Sequence, residues 1–356
     1  MKIALTDIAQ LAALPVDTLI DARSPAEYAE DHLPGAINLP SLSDAERAEV
    51  GTIYVQEDRF KARRIGAALV ARNVAAHLEG PLSTKDGSWR PLVYCWRGGQ
   101  RSGSFASILE QIGWRVSLLD GGYRAYRRLV VQMLYEAPLT LAPVLLDGNT
   151  GTAKTRLLEL LEAEGVQAID LEGLANHRGS ALGTRAGGQP SQKLFDGRLA
   201  QRIAALDPAR PVVIEAESHK VGARIVPPSL WSAMKAAPSV RVTAPVAARA
   251  AYLAEAYGDM TQQPGLLKDS LDLLRHLRGH ETVEHWRQMV DARDFNALAA
   301  ELIVQHYDPG YARARARHDM AEAQTVDLPA LDDATLKAAL PALVTAIERA
   351  AGSSAG

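Results

Sequence analysis

Pro143-Val-Leu-Leu-Asp-Gly148-Asn-Thr-Gly151-Thr-Ala153-Lys154-Thr155 runs from a short apolar segment into a glycine-containing turn and then into helix-forming sequence from Lys154 to Glu164. A buried strand that empties into such a turn presents successive backbone N–H groups, and the helix that follows adds positive potential at its N-terminus. The segment therefore reads as a phosphate cradle. Gly148, Asn149, Thr150, Gly151, Thr152, Ala153, Lys154 and Thr155 are its candidate phosphate- or diphosphate-binding residues, with Lys154 neutralising oxygens and Thr155 offering a hydroxyl to magnesium. Ala153 stands where the usual Walker A pattern has glycine, and its methyl is expected to fit while the backbone keeps a negative φ.

Further apolar runs at 167–171, 211–214 and 239–243 extend a parallel sheet around this strand. Val212-Val-Ile-Glu215-Ala-Glu217 ends in acids, and Glu215 is the expected magnesium partner of Thr155. After about Val246 the pattern turns helical, with Leu266, Leu267, Leu271, Leu274 and Leu277 on a helix-compatible apolar face.

Upstream, Thr18-Leu-Ile-Asp21 and Pro91-Leu-Val-Tyr-Cys95 are further strand-like runs with functional groups at their carboxyl ends. Cys95-Trp-Arg-Gly-Gly-Gln-Arg101-Ser102 repeats the strand, turn and helix logic around a thiol. Backbone N–H groups and a helix N-terminus lower a thiol pKa, and an arginine fork matches a tetrahedral oxyanion. Cys95 is the candidate nucleophile, and Trp96, Arg97, Gly98, Gly99, Gln100 and Arg101 form its anion loop.

The chain has 356 residues, enough for two domains. Lys and Arg total 39 against 42 Asp and Glu, so a net charge of -3 gives no global attraction for nucleic acid, and any RNA contact must be a local basic patch. One cysteine excludes an intrachain disulfide and a multi-cysteine zinc site, and fits a reducing compartment. The first residues lack a signal peptide's apolar stretch and no later run spans a bilayer, so a cytoplasmic protein without a membrane partner is expected. His276, His280 and Glu284 have a metal-like spacing that reads better as a solvated helical face. Tyr307 and Tyr311 followed by Arg313, Arg315 and Arg317 combine rings and positive charge that suit RNA phosphates and a stacked base, although a solvent-facing arginine helix reads equally well.

Leu19-Ile-Asp21-Ala-Arg23-Ser-Pro-Ala-Glu27-Tyr28 with His32-Leu-Pro34-Gly35-Ala36-Ile37-Asn38 resembles the amino-terminal signature of rhodanese-like domains. That resemblance implies a supporting role for Asp21 and Arg23 and a sulfur- or selenium-carrying role for Cys95. The cysteine and arginine five residues apart also resemble cysteine phosphatases, though Tyr94 stands where tyrosine phosphatases have histidine and Trp96 is bulky for the loop mouth. His177-Arg178-Gly179-Ser180 and Gln189-Pro190-Ser191-Gln192-Lys193 form a donor-rich candidate substrate loop. With Glu215-Ala-Glu217-Ser218 and His306-Tyr307-Asp308-Pro309-Gly-Tyr311, they resemble the tRNA 2-selenouridine synthase family over nearly the whole chain.

The implied fold is α/β: a rhodanese-like domain (1–137), then a P-loop NTPase-like parallel-sheet domain (138–245) with a helical C-terminal extension (246–356). The implied activity is a transferase acting on wobble 2-thiouridine of tRNA for Lys, Glu and Gln. Geranyl diphosphate and selenophosphate are the co-substrates, magnesium is the one expected ion, no cofactor is tightly bound, and selenophosphate synthetase is the donor source. The Cys95 loop would bind selenophosphate and pass selenium through an adduct on the thiolate. Three alternatives stay open: a sulfurtransferase joined to an ATP-dependent enzyme, a rhodanese-fold phosphatase, and a non-catalytic RNA-binding regulator.

Overall fold

The computed structural model describes residues 1–180, 182–317 and 324–353. Internal contacts divide the chain into two units, Met1–Ala137 with Pro190–Ala205, and Pro138–Gln189 with Leu206–Gly356.

In the first unit, β1 (Lys2–Ile3), β2 (Thr18–Asp21), β3 (Ala36–Asn38), β4 (Pro91–Tyr94) and β5 (Ser117–Leu119) form a parallel sheet in the order β1-β5-β4-β2-β3. All four residues of β4 are buried, as a continuous apolar run predicts for a strand covered on both faces. Ser24 starts the helix Pro25–Glu30 with a capping box closed by Glu27 and a proline in the first turn, so the segment after β2 breaks sharply into helix. Phe105 and Leu109 on the helix Gln100–Ile112 join Ile20, Val93 and Trp114 in the core and fix that helix behind the cysteine loop.

The second unit begins with β6 (Ala142–Asp147), β7 (Gln167–Ile169) and β8 (Pro211–Glu215). A short antiparallel ribbon follows, β9 (Lys220–Val221) and β10 (Arg224–Ile225), and then β11 (Ser239–Thr243) and β12 (Gln324–Asp327). The main sheet is parallel in the order β12-β11-β6-β8-β7, so the loop leaving β6 sits between two neighbours at the carboxyl edge, where open α/β sheets bind ligands. Val144 and Leu146 of β6 pack with Leu157 and Leu161 of the helix Lys154–Ala163, which anchors the loop at both ends.

Two features depart from the sequence reading. The third segment is not helical throughout, because Gln324–Asp327 adds a parallel strand to the edge of β11 and the helix Asp333–Ser353 lays Leu336, Leu343 and Ile347 into the sheet core. Residues 190–205 group with the first unit rather than with the P-loop core. The buried Asp196 explains the grouping, since it receives Arg127 at 2.7 Å and the Tyr135 hydroxyl at 3.0 Å.

Candidate active site

Cys95 is buried directly after β4, with its Sγ 3.1 Å from the Ser102 hydroxyl. Gly98 has φ +67°, and a side chain there would meet the Leu119 carbonyl oxygen at 2.7 Å. Gly122, at φ +56°, comes so close that an added Cβ would lie 2.3 Å from the Cys95 carbonyl oxygen. The Gly121-Gly122 turn thus buttresses the loop, and Tyr123 N–H donates to the Cys95 carbonyl at 2.9 Å. Burial pushes the Cys95 thiol up, but the Ser102 hydroxyl and the N–H groups of Ser102, Gly99 and Arg97 outweigh it and hold the thiol below its ordinary value.

The two loop arginines differ. Arg97 is exposed, whereas Arg101 donates to Glu27 at 2.7 Å, and Glu27 also takes Arg47 at 3.0 Å. Arg101 therefore ties the loop to the helix after β2 instead of lying free for an anion. Asp21 and Arg23 form a buried pair at 2.6 Å, and the Arg23 guanidinium stacks 4.0 Å from the Tyr123 ring centroid while donating to the Asp31 carbonyl. Gly99 and Gln100 open the helix, and Trp96 packs on Tyr123 at 5.2 Å.

In the second unit, Gly148 is required by space, since a Cβ would lie 2.4 Å from the Thr152 hydroxyl. Gly151 has φ +87°. Ala153 does not keep a negative φ: at φ +59° and ψ 27° it adopts the left-handed conformation, at a cost of about 1 kcal/mol for a residue with a Cβ. The helix start needs that conformation whichever residue supplies it. Lys154 donates to the Gly148 carbonyl at 2.7 Å. Burial alone would lower its pKa, but the negative ends of Tyr311, Glu217, Glu172 and Asp147 raise it, so the ammonium stays charged.

The carboxylate beside Thr155 is not the expected one. Thr155 donates to Glu172 at 3.1 Å, while Glu215 lies behind it and accepts the Glu172 N–H at 2.5 Å. The second oxygen of Glu215 is buried without a partner. Burial and neighbouring acids raise Glu215 well above the usual carboxylate range, and burial with the charge of Glu172 pushes Glu217 up to about 8. Gly179, at φ +64°, rests on this group, as a Cβ there would lie 2.5 Å from Glu172 and 2.7 Å from Glu217. A polar cavity of about 400 Å³ opens over the loop, lined among others by Lys154, Thr155, Arg178, Arg185, Glu217 and Tyr311.

A family model described as the tRNA 2-selenouridine synthase AAA domain matches residues 141–328, and a rhodanese-like domain model matches residues 7–129. The chain belongs to the tRNA 2-selenouridine synthase family. A curated relative of that name from Bordetella bronchiseptica is 34% identical over 331 residues, 83% of this chain and 88% of its own length. Relatives of the same name from Pseudomonas syringae pv. syringae and Psychromonas ingrahamii are 39% and 36% identical over 62% and 67% of this chain. The chain spans 60% and 64% of the length of those two relatives in the matched region.

In this member of the 2-selenouridine synthase family the donor-rich loop divides. His177 accepts the Gly179 N–H at 3.1 Å, and Arg178 pairs with Asp259 at 2.7 Å while stacking 4.6 Å from the Tyr257 ring. Ser180 meets the Tyr257 hydroxyl at 3.0 Å. Gln189 instead staples the β9–β10 ribbon through Val221 and Ala223, at 2.9 and 2.7 Å. Ser191 caps the helix Gln192–Ala204, Gln192 donates to Asp196 at 2.8 Å, and Lys193 pairs with Glu30 at 2.6 Å, all within the first unit.

Tyr311 reaches the Thr150 hydroxyl at 3.3 Å, Tyr307 lines an apolar pocket beside Thr150, and both rings also line an open groove with Arg278, His306 and Arg313. Arg313 is exposed, and the side chains of Arg315 and Arg317 lie outside the described residues. His280 and Glu284 meet Arg275, at 2.7 and 3.5 Å, and among the described residues no cluster of His, Cys, Asp or Glu is arranged to hold a metal. No helix among the described residues is long and apolar enough to cross a membrane.

Sequence reasoning missed Glu172, Arg185 and Arg249, and it quoted Asp308 only within the His306–Tyr311 motif without giving it a role. Arg249 is buried, donates twice to the Thr150 carbonyl (3.0 and 2.8 Å) and pairs with Asp308 at 2.7 Å. Asp308 in turn receives Asn149 at 2.8 Å. The Nε of Arg185 is buried with no partner at the polar cavity. Glu172 had a signal, since it follows β7 as Glu215 ends β8.

Proposed function

We propose that the protein converts wobble 2-thiouridine in tRNA to 2-selenouridine by two transfers, S-geranylation with geranyl diphosphate and then replacement of the geranylthiol group by selenium from selenophosphate. The observation that carries the reading is one chain of this family with two different anion sites: a thiol held low by backbone donors, and a phosphate loop with a charged lysine.

In the first transfer the thiouridine sulfur attacks C1 of the allylic diphosphate. The C–O bond breaks, diphosphate leaves with the electron pair, and the base loses its N3 proton. Charge develops on the leaving oxygens, where the loop N–H groups, Lys154 and Arg185 stabilise it. Thr155 and Glu172, 3.1 Å apart, are the residues that would hold a magnesium ion, which would supply further positive charge to the diphosphate.

Electron count decides the role of Cys95 in the second transfer. Selenium in selenophosphate is already at the selenide level, so a thiolate that took it as a perselenide would expel phosphorus as phosphite. Attack of the Cys95 thiolate on phosphorus balances instead. The P–Se bond breaks, selenium leaves as selenide with the bonding pair, and water releases phosphate from the cysteinyl intermediate. Selenide then adds at C2 of the modified base, the C2–S bond breaks, and geranylthiolate departs and takes a proton. Arg97 is the loop arginine open to the phosphoryl group, since Arg101 is held by Glu27. That pairing also weakens the phosphatase reading, which needs Arg101 free.

The partners of this activity are the Lys, Glu and Gln isoacceptors, with selenophosphate synthetase as donor source in a reducing cytoplasm. Mass spectrometry of nucleosides from thiolated tRNA incubated with the protein tests the scheme. Geranylated thiouridine is expected with geranyl diphosphate alone and selenouridine with both co-substrates. Selenouridine formed without geranyl diphosphate, or hydrolysis of phosphomonoesters in place of either product, would overturn it.

A further inference from the structure

A second, narrow pocket with about 50 Å³ of cavity volume lies within the second unit and shares Thr150, Leu253 and Tyr257 with the polar cavity over the phosphate loop. Its remaining wall is apolar and includes Leu182, Met260, Leu267, Phe295, Leu298 and Leu302. Five of these belong to a packed helical core and Phe295 packs against it, so the wall is built by the fold rather than by loose surface chains. The polar tips of its two tyrosines are already engaged: Ser180 holds the Tyr257 hydroxyl at 3.0 Å and also bonds the Tyr307 hydroxyl, leaving carbon faces toward the space.

Two ligands are compatible with a phosphate loop: a nucleotide and an amphiphile with a phosphate head. A nucleobase carries hydrogen-bonding edges that cost free energy when buried without partners, and this wall offers almost none. A hydrocarbon chain loses nothing there and gains by leaving water. The wider helical turn Ile303–Tyr307 ends at Tyr307 on this wall, a local departure from α-helix of the kind that occurs at binding sites.

We infer that this pocket is the chain subsite for the apolar tail of a prenyl diphosphate whose head lies in the Gly148–Thr155 loop, with Leu253 and Tyr257 at the junction of head and tail. The inference rests on the phosphate-loop reading above and adds where the tail binds and which residues select it. Ala254 lines the pocket from the helix Val246–Ala256 and is only partly buried, so a larger side chain there fills the space with little disturbance of the core.

Isothermal titration of the full chain with inorganic diphosphate, dimethylallyl, geranyl and farnesyl diphosphate, and ATP provides the test. With the unaltered protein, geranyl diphosphate is expected to bind on the order of 100-fold more tightly than inorganic diphosphate. Ala254→Phe should lower geranyl diphosphate affinity at least about tenfold while leaving inorganic diphosphate within about twofold. If inorganic diphosphate binds but the prenyl chain adds no affinity, the subsite is wrong and the phosphate-loop reading stands. If inorganic diphosphate does not bind, or binds equally well to Lys154→Ala, the phosphate-loop reading falls and the subsite with it. ATP binding more tightly than geranyl diphosphate and lost in Ala254→Phe would assign the pocket to a nucleobase and overturn the inference.

Discussion

Cys95 owes its chemistry to donors rather than to exposure. A thiol this deeply buried would ordinarily resist ionisation, yet a hydroxyl and three backbone N–H groups converge on its sulfur and reverse the effect. The Ser102 hydroxyl is one of the donors that hold the thiol low, so its loss should raise the thiol pKa. The sign is fixed: with one donor fewer the thiolate is less favoured, and less of it is present at neutral pH. Because the chain has a single cysteine, the ultraviolet absorbance of the thiolate, with Cys95→Ser as blank, reports this group alone. Ser102→Ala is expected to move the titration midpoint upward, and an unchanged midpoint would mean that the backbone nest alone sets the thiol.

The phosphate loop is held from outside as much as from within. Its own strand and helix fix the ends, but the middle is clamped by Arg249 from the helix Val246–Ala256 and by Asp308 from the helix Asp308–Arg317. Arg249→Met keeps an apolar stem while leaving the Thr150 carbonyl and Asp308 without that cation. A cost of about 2–4 kcal/mol is expected in denaturant unfolding, with weaker binding of inorganic diphosphate. Full stability and full affinity would show the clamp to be incidental. Such clamps explain what was legible in the sequence and what was not. Both strand–turn–helix loops could be read because their signals are local: an apolar run, glycines at tight approaches, and a charged residue at the helix start. Arg249 and Asp308 are 59 residues apart, and the apolar pocket draws on residues from Thr150 to Tyr307, so no window of sequence contains either. Ala153 failed for a different reason: the turn geometry dictates its positive φ, and residue type alone does not reveal how much strain the fold accepts. Arg101 was misread because its partner Glu27 lies 74 residues upstream, across the sheet connection.

At the scale of the whole molecule, the chain carries two strand–turn–helix loops in two units, and the proposal assigns one transfer to each. If each site serves one transfer, the transfers should separate by mutation. Lys154→Met removes the cation that, on the proposed scheme, would stabilise a departing diphosphate, but leaves the cysteine nest intact. Losing one such electrostatic group costs on the order of 100- to 1000-fold in rate, so geranylated thiouridine should nearly vanish while tRNA supplied already geranylated is still converted to selenouridine. Cys95→Ser should do the reverse, accumulating the geranylated base and forming no selenouridine, because a serine hydroxyl is far less ionised than a thiol and attacks phosphorus poorly. Quantifying both nucleosides for both variants, on thiolated and on pre-geranylated tRNA, makes the comparison complete. Loss of both products in either variant would show that the two units act as one catalytic site. Normal selenouridine formation by Cys95→Ser would remove the thiol from the mechanism altogether. On the proposed scheme the separable outcome follows from the physics of the two cradles: one would stabilise negative charge on oxygen as a bond to carbon breaks, the other would stabilise negative charge on sulfur before a bond to phosphorus forms.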